Sequence, residues 1–148
     1  GIKRNSVTGA EEVASFLDVN KLILIKTKAF HLDTVFTTIM DHYGKLCAVI
    51  VCKELISKDS FDLLDQFSRL NNIKIINIPP IDSIGINNNL GSLAVNNFSA
   101  PGLLISSSKF SEPSVAKYLN TKNIKIETSP VSQFQLSGGS IHCLTNEL

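Results

Sequence analysis

The chain has 148 residues, 43% of them hydrophobic and 18% charged, with a formal net charge of +1. That is one domain's worth of ordinary globular sequence, long enough to bury a core. The near-neutral balance gives no electrostatic case for nucleic acid or an anionic membrane surface, and no apolar run approaches the length of a membrane span.

Lys3 and Arg4 are too little basic charge for a binding arm. No signal peptide is visible, and the first residue is Gly. A processed product, or a piece of a longer chain with sequence missing before Gly1, is expected.

In chain order, Ser6 or Thr8 is placed to cap a helix beginning near Gly9, with Val13, Phe16 and Leu17 at helical spacing. Lys21 to Ile25 reads as a strand, and His31 to Met40 as a second. Asp41-His42-Tyr43-Gly44 is a turn, and Leu46 to Cys52 returns from it, so residues 34–52 read as a hairpin. Asp59 or Ser60 begins a second helix with Phe61, Leu64, Phe67 and Leu70 on one face. A strand at Ile73 to Ile78 follows, then a loop with Pro79 and Pro80. Gly91 to Phe98 and Gly102 to Ser107 read as another hairpin. Ser111 precedes a third helix, Glu112 to Leu119, with Pro113 in its first turn, and Asn123 to Glu127 is the next strand. The last segment runs through Gln133 to Leu136 into a Gly138-Gly139 turn, with a final strand at Ile141 to Leu148.

The helix starts recur at about fifty-residue intervals, which indicates repeated supersecondary units of helix, strand, loop and hairpin. The divisions fall at about 1–55, 56–108 and 109–148. So few units cannot close a ring, so exposed sheet edges are expected at both ends.

Three cysteines form no disulfide framework. Cys47 and Cys52 lie in an apolar run and read as core residues on opposite sides of a strand, which argues against a shared metal site. A reducing, cytoplasmic setting follows. Cys143 is different, because it sits just past a glycine turn where a nucleophile is easily presented. His31 and Asp33 are two apart, so on a strand both point to one face. A cysteine with a distant histidine and carboxylate is a nucleophile arrangement. His142 would point away from Cys143 on an extended segment and reads as structural, and His42 reads as an exposed turn residue. Asn97-Phe98-Ser99 matches a glycosylation acceptor by chance, without a secretion signal.

Three stretches resemble the guanidino-group-modifying enzymes, the superfamily of arginine deiminases, dimethylarginine hydrolases and amidinotransferases. His31-Leu32-Asp33-Thr34-Val35-Phe36-Thr37 is similar to the family's His-x-Asp strand. Gly138-Gly139-Ser140-Ile141-His142-Cys143 is similar to its nucleophile turn. Arg4-Asn5 with Gly9-Ala10-Glu11 is similar to the stretch that follows its central carboxylate motif. The resemblance implies an α/β fold, a pentein-type propeller of helix-strand-hairpin units, of which this chain is the C-terminal part with about three of five units. The family's Glu-Gly-Gly-Asp-like motif would lie before Arg4, so half of the substrate pocket must come from a missing N-terminal segment or a companion chain.

The implied activity is hydrolysis of a guanidinium substrate, arginine or an N-methylated arginine, to citrulline with release of ammonia or an amine. Cys143 would be the nucleophile, and His31 the acid and then the base. Asp33 would hold the guanidinium by charge-assisted hydrogen bonds, and Arg4 the α-carboxylate. Asp33 leans toward the deiminases, since dimethylarginine hydrolases often lack an acid there. The implied chemistry passes through a covalent thiouronium and needs neither metal nor organic cofactor. An amidinotransferase would use the same residues, and a non-catalytic propeller protein would not need them. A homo-oligomer is compatible with the pattern, and neither nucleic acid nor membrane is an expected partner.

Overall fold

A computed structural model describes residues 6–87 and 89–145. The first helix, α1 (Val7–Phe16), is capped by Ser6, whose Oγ accepts a hydrogen bond from the Gly9 amide at 2.9 Å. It buries none of its residues. Val13 and Leu17, with Val19 and Leu22, instead line a groove of about 510 Å³, and Phe16 is 88% exposed.

The strand expected at Lys21 to Ile25 does not form. The chain meets the Leu55–Ser57 backbone only just after it, at residues 26–28, over too short a span to make a ladder. Lys28 donates to the Leu55 carbonyl at 2.9 Å, Ser57 donates to Lys26 at 2.8 Å, and Thr27 and Ile56 make a single bridge.

A three-stranded sheet follows. Strands β1 (Phe36–Met40) and β2 (Leu46–Val51) pair antiparallel from Phe36 opposite Val51, with an irregularity at Ile39/Met40. Asp41 Oδ1 closes their turn by accepting from the Tyr43 and Lys45 amides at 2.9 and 3.0 Å. The helix α2 (Lys58–Leu70) crosses over to β3 (Lys74–Asn77), which pairs parallel with β2. β2 is therefore central, and its continuous apolar sequence is what a strand covered on both faces requires; Ala48 to Val51 are all buried. Ser57, not Asp59 or Ser60, caps α2. Ser60 is buried one turn in, where its Oγ accepts from the Lys26 amide at 2.9 Å.

After a two-residue pairing of β4 (Gly85–Ile86) with β5 (Asn89–Leu90), the same topology recurs. β6 (Phe98–Ala100) and β7 (Leu103–Ser106) form a hairpin, α3 (Pro113–Thr121) crosses over, and β8 (Lys125–Thr128) pairs parallel with β7. Glu112, rather than Ser111, caps α3, with Pro113 at its first position. The first arm of this hairpin is shorter than the expected Gly91 to Phe98. Residues 91–97 form a loop instead, and Leu93 to Asn97 are all buried.

The two sheets share one core, with β1 beside β6. Tyr118 Oη donates to the Cys47 carbonyl at 3.0 Å. The His42 ring bonds to the Asn123 carbonyl at 2.7 Å, so this turn histidine is exposed but anchored. Among the described residues the sheets are open and none closes on itself, and no helix is long and apolar enough to cross a membrane.

Two short helices, α4 (Ser132–Leu136) and α5 (Ile141–Leu144), are the last elements of the described residues. Gly138, at φ +83°, terminates α4. Gly138 N donates to Gln135 O and Gly139 N to Phe134 O, at 2.9 and 3.1 Å, the paired bonds of a Schellman cap. The strand expected from Ile141 is thus a single helical turn. A run this short and apolar has no period that separates strand from helix. Asn146 to Leu148 lie outside the described residues.

Candidate functional site

Two loops enter the adjacent strands β1 and β6, and the C-terminal turn comes back to meet both. In the first loop, Leu32–Thr34 is one 3-10 turn with His31 as its N-cap. His31 and Asp33 therefore do not share a strand face as expected. The tight turn keeps them near one another, with His31 Nδ1 3.9 Å from Asp33 Oδ1. Thr34 Oγ1 donates to the His31 carbonyl at 2.7 Å, and Ser83 Oγ donates to the Thr34 carbonyl, so the turn is pinned from both sides. The Phe30 ring stacks on His31, with centroids 4.8 Å apart and planes 24° apart.

The second loop contributes Asn96 and Asn97, both buried. Asn97 Oδ1 accepts from Thr37 Oγ1 on β1 at 3.1 Å, and its amide nitrogen donates to the Ala94 and Val95 carbonyls at 3.2 and 3.0 Å. Asn96 Nδ2 reaches the Asp33 carbonyl at 3.4 Å.

The third contributor is α5. The His142 amide donates to the Asn96 carbonyl at 3.3 Å, which docks the turn on the second loop. Cys143 Sγ then lies 3.5 Å from Asn96 Oδ1 and 3.9 Å from Asp33 Oδ2. The structure thus brings together His31, Asp33 and Cys143, from positions more than a hundred residues apart. Arg4, the fourth expected site residue, lies outside the described residues.

Asp33 Oδ1 is shielded from solvent and accepts no hydrogen bond among the described residues. A carboxylate oxygen left in that state is costly unless a ligand donor meets it. It borders a cleft of about 500 Å³ that Phe30, His31, Thr37, Asn97 and His142 also line. Cys143 opens onto a neighbouring, more apolar cavity of about 780 Å³, lined also by Ile84, Leu93, Leu136 and Gly139, and Phe30 and His31 border both. No Lys or Arg among the described residues lines either cavity. No group of three His, Cys, Asp or Glu side chains among them is arranged to hold a metal ion.

Of the other two thiols, Cys52 is buried and Cys47 half-buried. Burial pushes the Cys52 thiol up to about 11 and raises Cys47 as well. Cys143 is the exposed one of the three. Burial also pushes the Tyr118 hydroxyl up to about 12.

Three residues at the site were not singled out for it by sequence. His142 was expected to point away from the cleft but lines it. Successive residues on a helix diverge by about 100° rather than the 180° of a strand, so a helical turn lets His142 and Cys143 serve adjoining spaces. Asn96 and Asn97 carry only one local signal, an amide pair inside an otherwise apolar stretch. Asn97 is 2% exposed, so its sequon is inaccessible in the fold.

No protein-family model matches the chain, and no curated protein does. Solved structures do. The substrate-bound N-terminal domain of ArgZ, an arginine dihydrolase from the cyanobacterial ornithine-ammonia cycle, superposes with a TM-score of 0.74 at 16% identity, over 96% of this chain and 47% of that one. ArgZ(N71S) covalently bound to a reaction intermediate gives 0.74 at 15% identity, over 95% and 46%. AgrE in complex with ornithine and NAD+ gives 0.74 at 16% identity, over 95% and 19%. The chain therefore has the fold of these proteins, and it spans about half the length of the ArgZ domain and about a fifth of AgrE.

Proposed function

We propose that the chain is part of a cysteine-dependent guanidino hydrolase, acting on arginine or an N-methylated arginine. One observation carries the reading: an exposed thiol and an imidazole each lie 3.9 Å from a carboxylate with an unmet acceptor oxygen, where two adjoining cavities meet, in a fold shared with arginine dihydrolases. A guanidinium is planar and cationic, and a carboxylate matches it with parallel charge-assisted hydrogen bonds. Asp33 supplies that carboxylate.

The Cys143 thiolate attacks the guanidinium carbon. His31 protonates the departing nitrogen as the C–N bond breaks, releasing ammonia or an amine and leaving a thiouronium on sulfur. His31 then takes a proton from water, the hydroxide adds to the same carbon, and the C–S bond breaks to give citrulline and the free thiolate. One imidazole acting as acid and then as base is general catalysis of the ordinary kind, and no step calls on a metal or organic cofactor. Arg4 is the proposed partner of the substrate's α-carboxylate.

In this reading the chain is the C-terminal part of a pentein propeller, about three of five units divided near residues 55 and 108. A segment outside this sequence, or a companion chain, completes the pocket, and a homo-oligomer is compatible with it. A reducing compartment such as the cytoplasm suits three free thiols.

A second reading, amidino transfer, is favoured by the larger cavity onto which Cys143 opens, which leaves room for an acceptor amine. The test is incubation of the whole protein, with the segment or companion chain that completes the pocket present, with arginine and N-methylated arginines, with and without an acceptor amine, followed by intact mass and ureido-product assay. A substrate-derived adduct on Cys143, lost in Cys143→Ala, is expected. A fully active Cys143→Ser variant, or no adduct while Cys143 still reacts with a neutral alkylating agent, overturns the proposal.

A further inference from the structure

Asn96 is fully buried, yet all of its polar groups are engaged across the site. Its amide donates to the Leu93 carbonyl at 3.0 Å, and its own carbonyl accepts from His142 at 3.3 Å. Its side-chain nitrogen donates to the Asp33 carbonyl at 3.4 Å, while Oδ1 accepts from the Cys143 thiol at 3.5 Å. A single side chain therefore touches both the carboxylate turn and the nucleophile.

The thiol has one proton and two acceptors in reach, Asn96 Oδ1 and, slightly farther, Asp33 Oδ2. A carbonyl oxygen accepts from S–H but has nothing to offer a thiolate, so it favours the protonated form. The titratable groups around the sulfur are Asp33 and His31 on the first loop and His142 on α5, and the Asn96 loop, Leu93 to Asn97, carries none.

We propose that Asn96 is a positioning residue for Cys143: it ties the terminal turn to the Asp33 turn and holds the sulfur facing the carboxylate. The role builds on Cys143 as nucleophile, but its readout needs no guanidinium turnover, so it fails or stands separately from the hydrolase reading.

The experiment is the pH dependence of Cys143 alkylation by neutral iodoacetamide, followed by mass spectrometry of the native chain. A net hydrogen bond of roughly 0.5–1.5 kcal/mol corresponds to a shift of about half to one pH unit. Asn96→Ala is expected to lower the midpoint by that amount and raise the rate at neutral pH about three- to tenfold. The isosteric Asn96→Asp, which adds a second carboxylate beside the sulfur, is expected to raise it. The Asn96→Asp rise checks that the side chain faces the sulfur, and the Asn96→Ala fall is the readout of the hydrogen bond itself.

An unchanged midpoint in a folded variant overturns the proposal. In the unmodified chain, the S–H stretching band of Cys143, assigned by its loss in Cys143→Ala, is expected at lower frequency than that of a free thiol. A free-thiol frequency overturns the proposal without any change at Asn96.

Discussion

In the proposed reading, recognition of a planar cation depends on the charge on Asp33, and that dependence can be read without completing a catalytic cycle. Two reagents serve, 2-chloroacetamidine, a cation, and 2-chloroacetamide, its neutral isostere; both alkylate thiols. Asp33 Oδ2 lies 3.9 Å from Cys143 Sγ, so an amidinium poised for attack sits within about 4 Å of the carboxylate. At that distance, with an effective dielectric of about 20, two unit charges attract by about 4 kcal/mol. The Asp33 side chain is 27% exposed, and solvent screening halves the figure to about 2 kcal/mol. That is roughly a thirtyfold preference for the amidine, beyond the ratio the same reagents show with glutathione. Asp33→Asn keeps the shape and removes the charge, so its ratio is expected to fall to the glutathione value. Rates come from the mass of the adduct on Cys143 over time. Equal ratios in the wild type and Asp33→Asn would refute the reasoning.

Three further outcomes follow from the buried polar groups and the core. Asp82 is 2% exposed and accepts from Ser111 N at 2.8 and 3.0 Å, from Ser111 Oγ at 3.0 Å and from Glu112 N at 3.3 Å. Asp82→Ala strands these donors at the start of α3 and is expected to cost about 3–5 kcal/mol, a fall in Tm on the order of 10 °C by circular dichroism. Gly102 sits at φ +72°, and a Cβ there would lie 2.4 Å from His42 Nδ1. Gly102→Ala must displace the ring and its bond to Asn123, at about 2–3 kcal/mol in urea unfolding. Cys52 has a folded pKa of about 11 against an ordinary 9.0, so its contribution is intact below pH 9 and falls as pH rises toward 11. The wild type is expected to lose about 2–3 kcal/mol more than Cys52→Ala between pH 8 and 11, measured by unfolding at each pH.

The elements legible in the sequence are those whose signal is local and periodic. The α2 helix, the β1–β2 hairpin with its Asp41–Gly44 turn, and Pro113 opening α3 are each specified by residues within a turn or two of one another. The failures share a cause. Lys21 to Ile25 has strand composition, but a strand needs a partner, and pairing begins only past it, at residues 26–28, as a single bridge to Leu55–Ser57. Ile141 to Leu144 is too short to show a period, and the Schellman cap before it and the bond from His142 to Asn96 decide its conformation. Residues 91–97 are apolar enough for a strand, yet amides among them bond to the 81–83 turn and the Asn96 and Asn97 side chains to the site.

The candidate site was legible in its residue types and not in its geometry. His31, Asp33 and Cys143 are conspicuous residue types, but their meeting depends on which ends of the two sheets adjoin. Because the same hairpin-helix-strand topology occurs twice and β1 lies beside β6, the loop before one hairpin becomes the neighbour of the loop before the other. The repeat thus delivers two loops of different chemistry to one place. The first brings a carboxylate that can meet a cation, and the second brings neutral amides that can hold backbone and thiol without competing for charge. The division of labour therefore gathers the acid on one loop and the neutral hydrogen-bonding groups on the other, with the sulfur between Asp33 and Asn96.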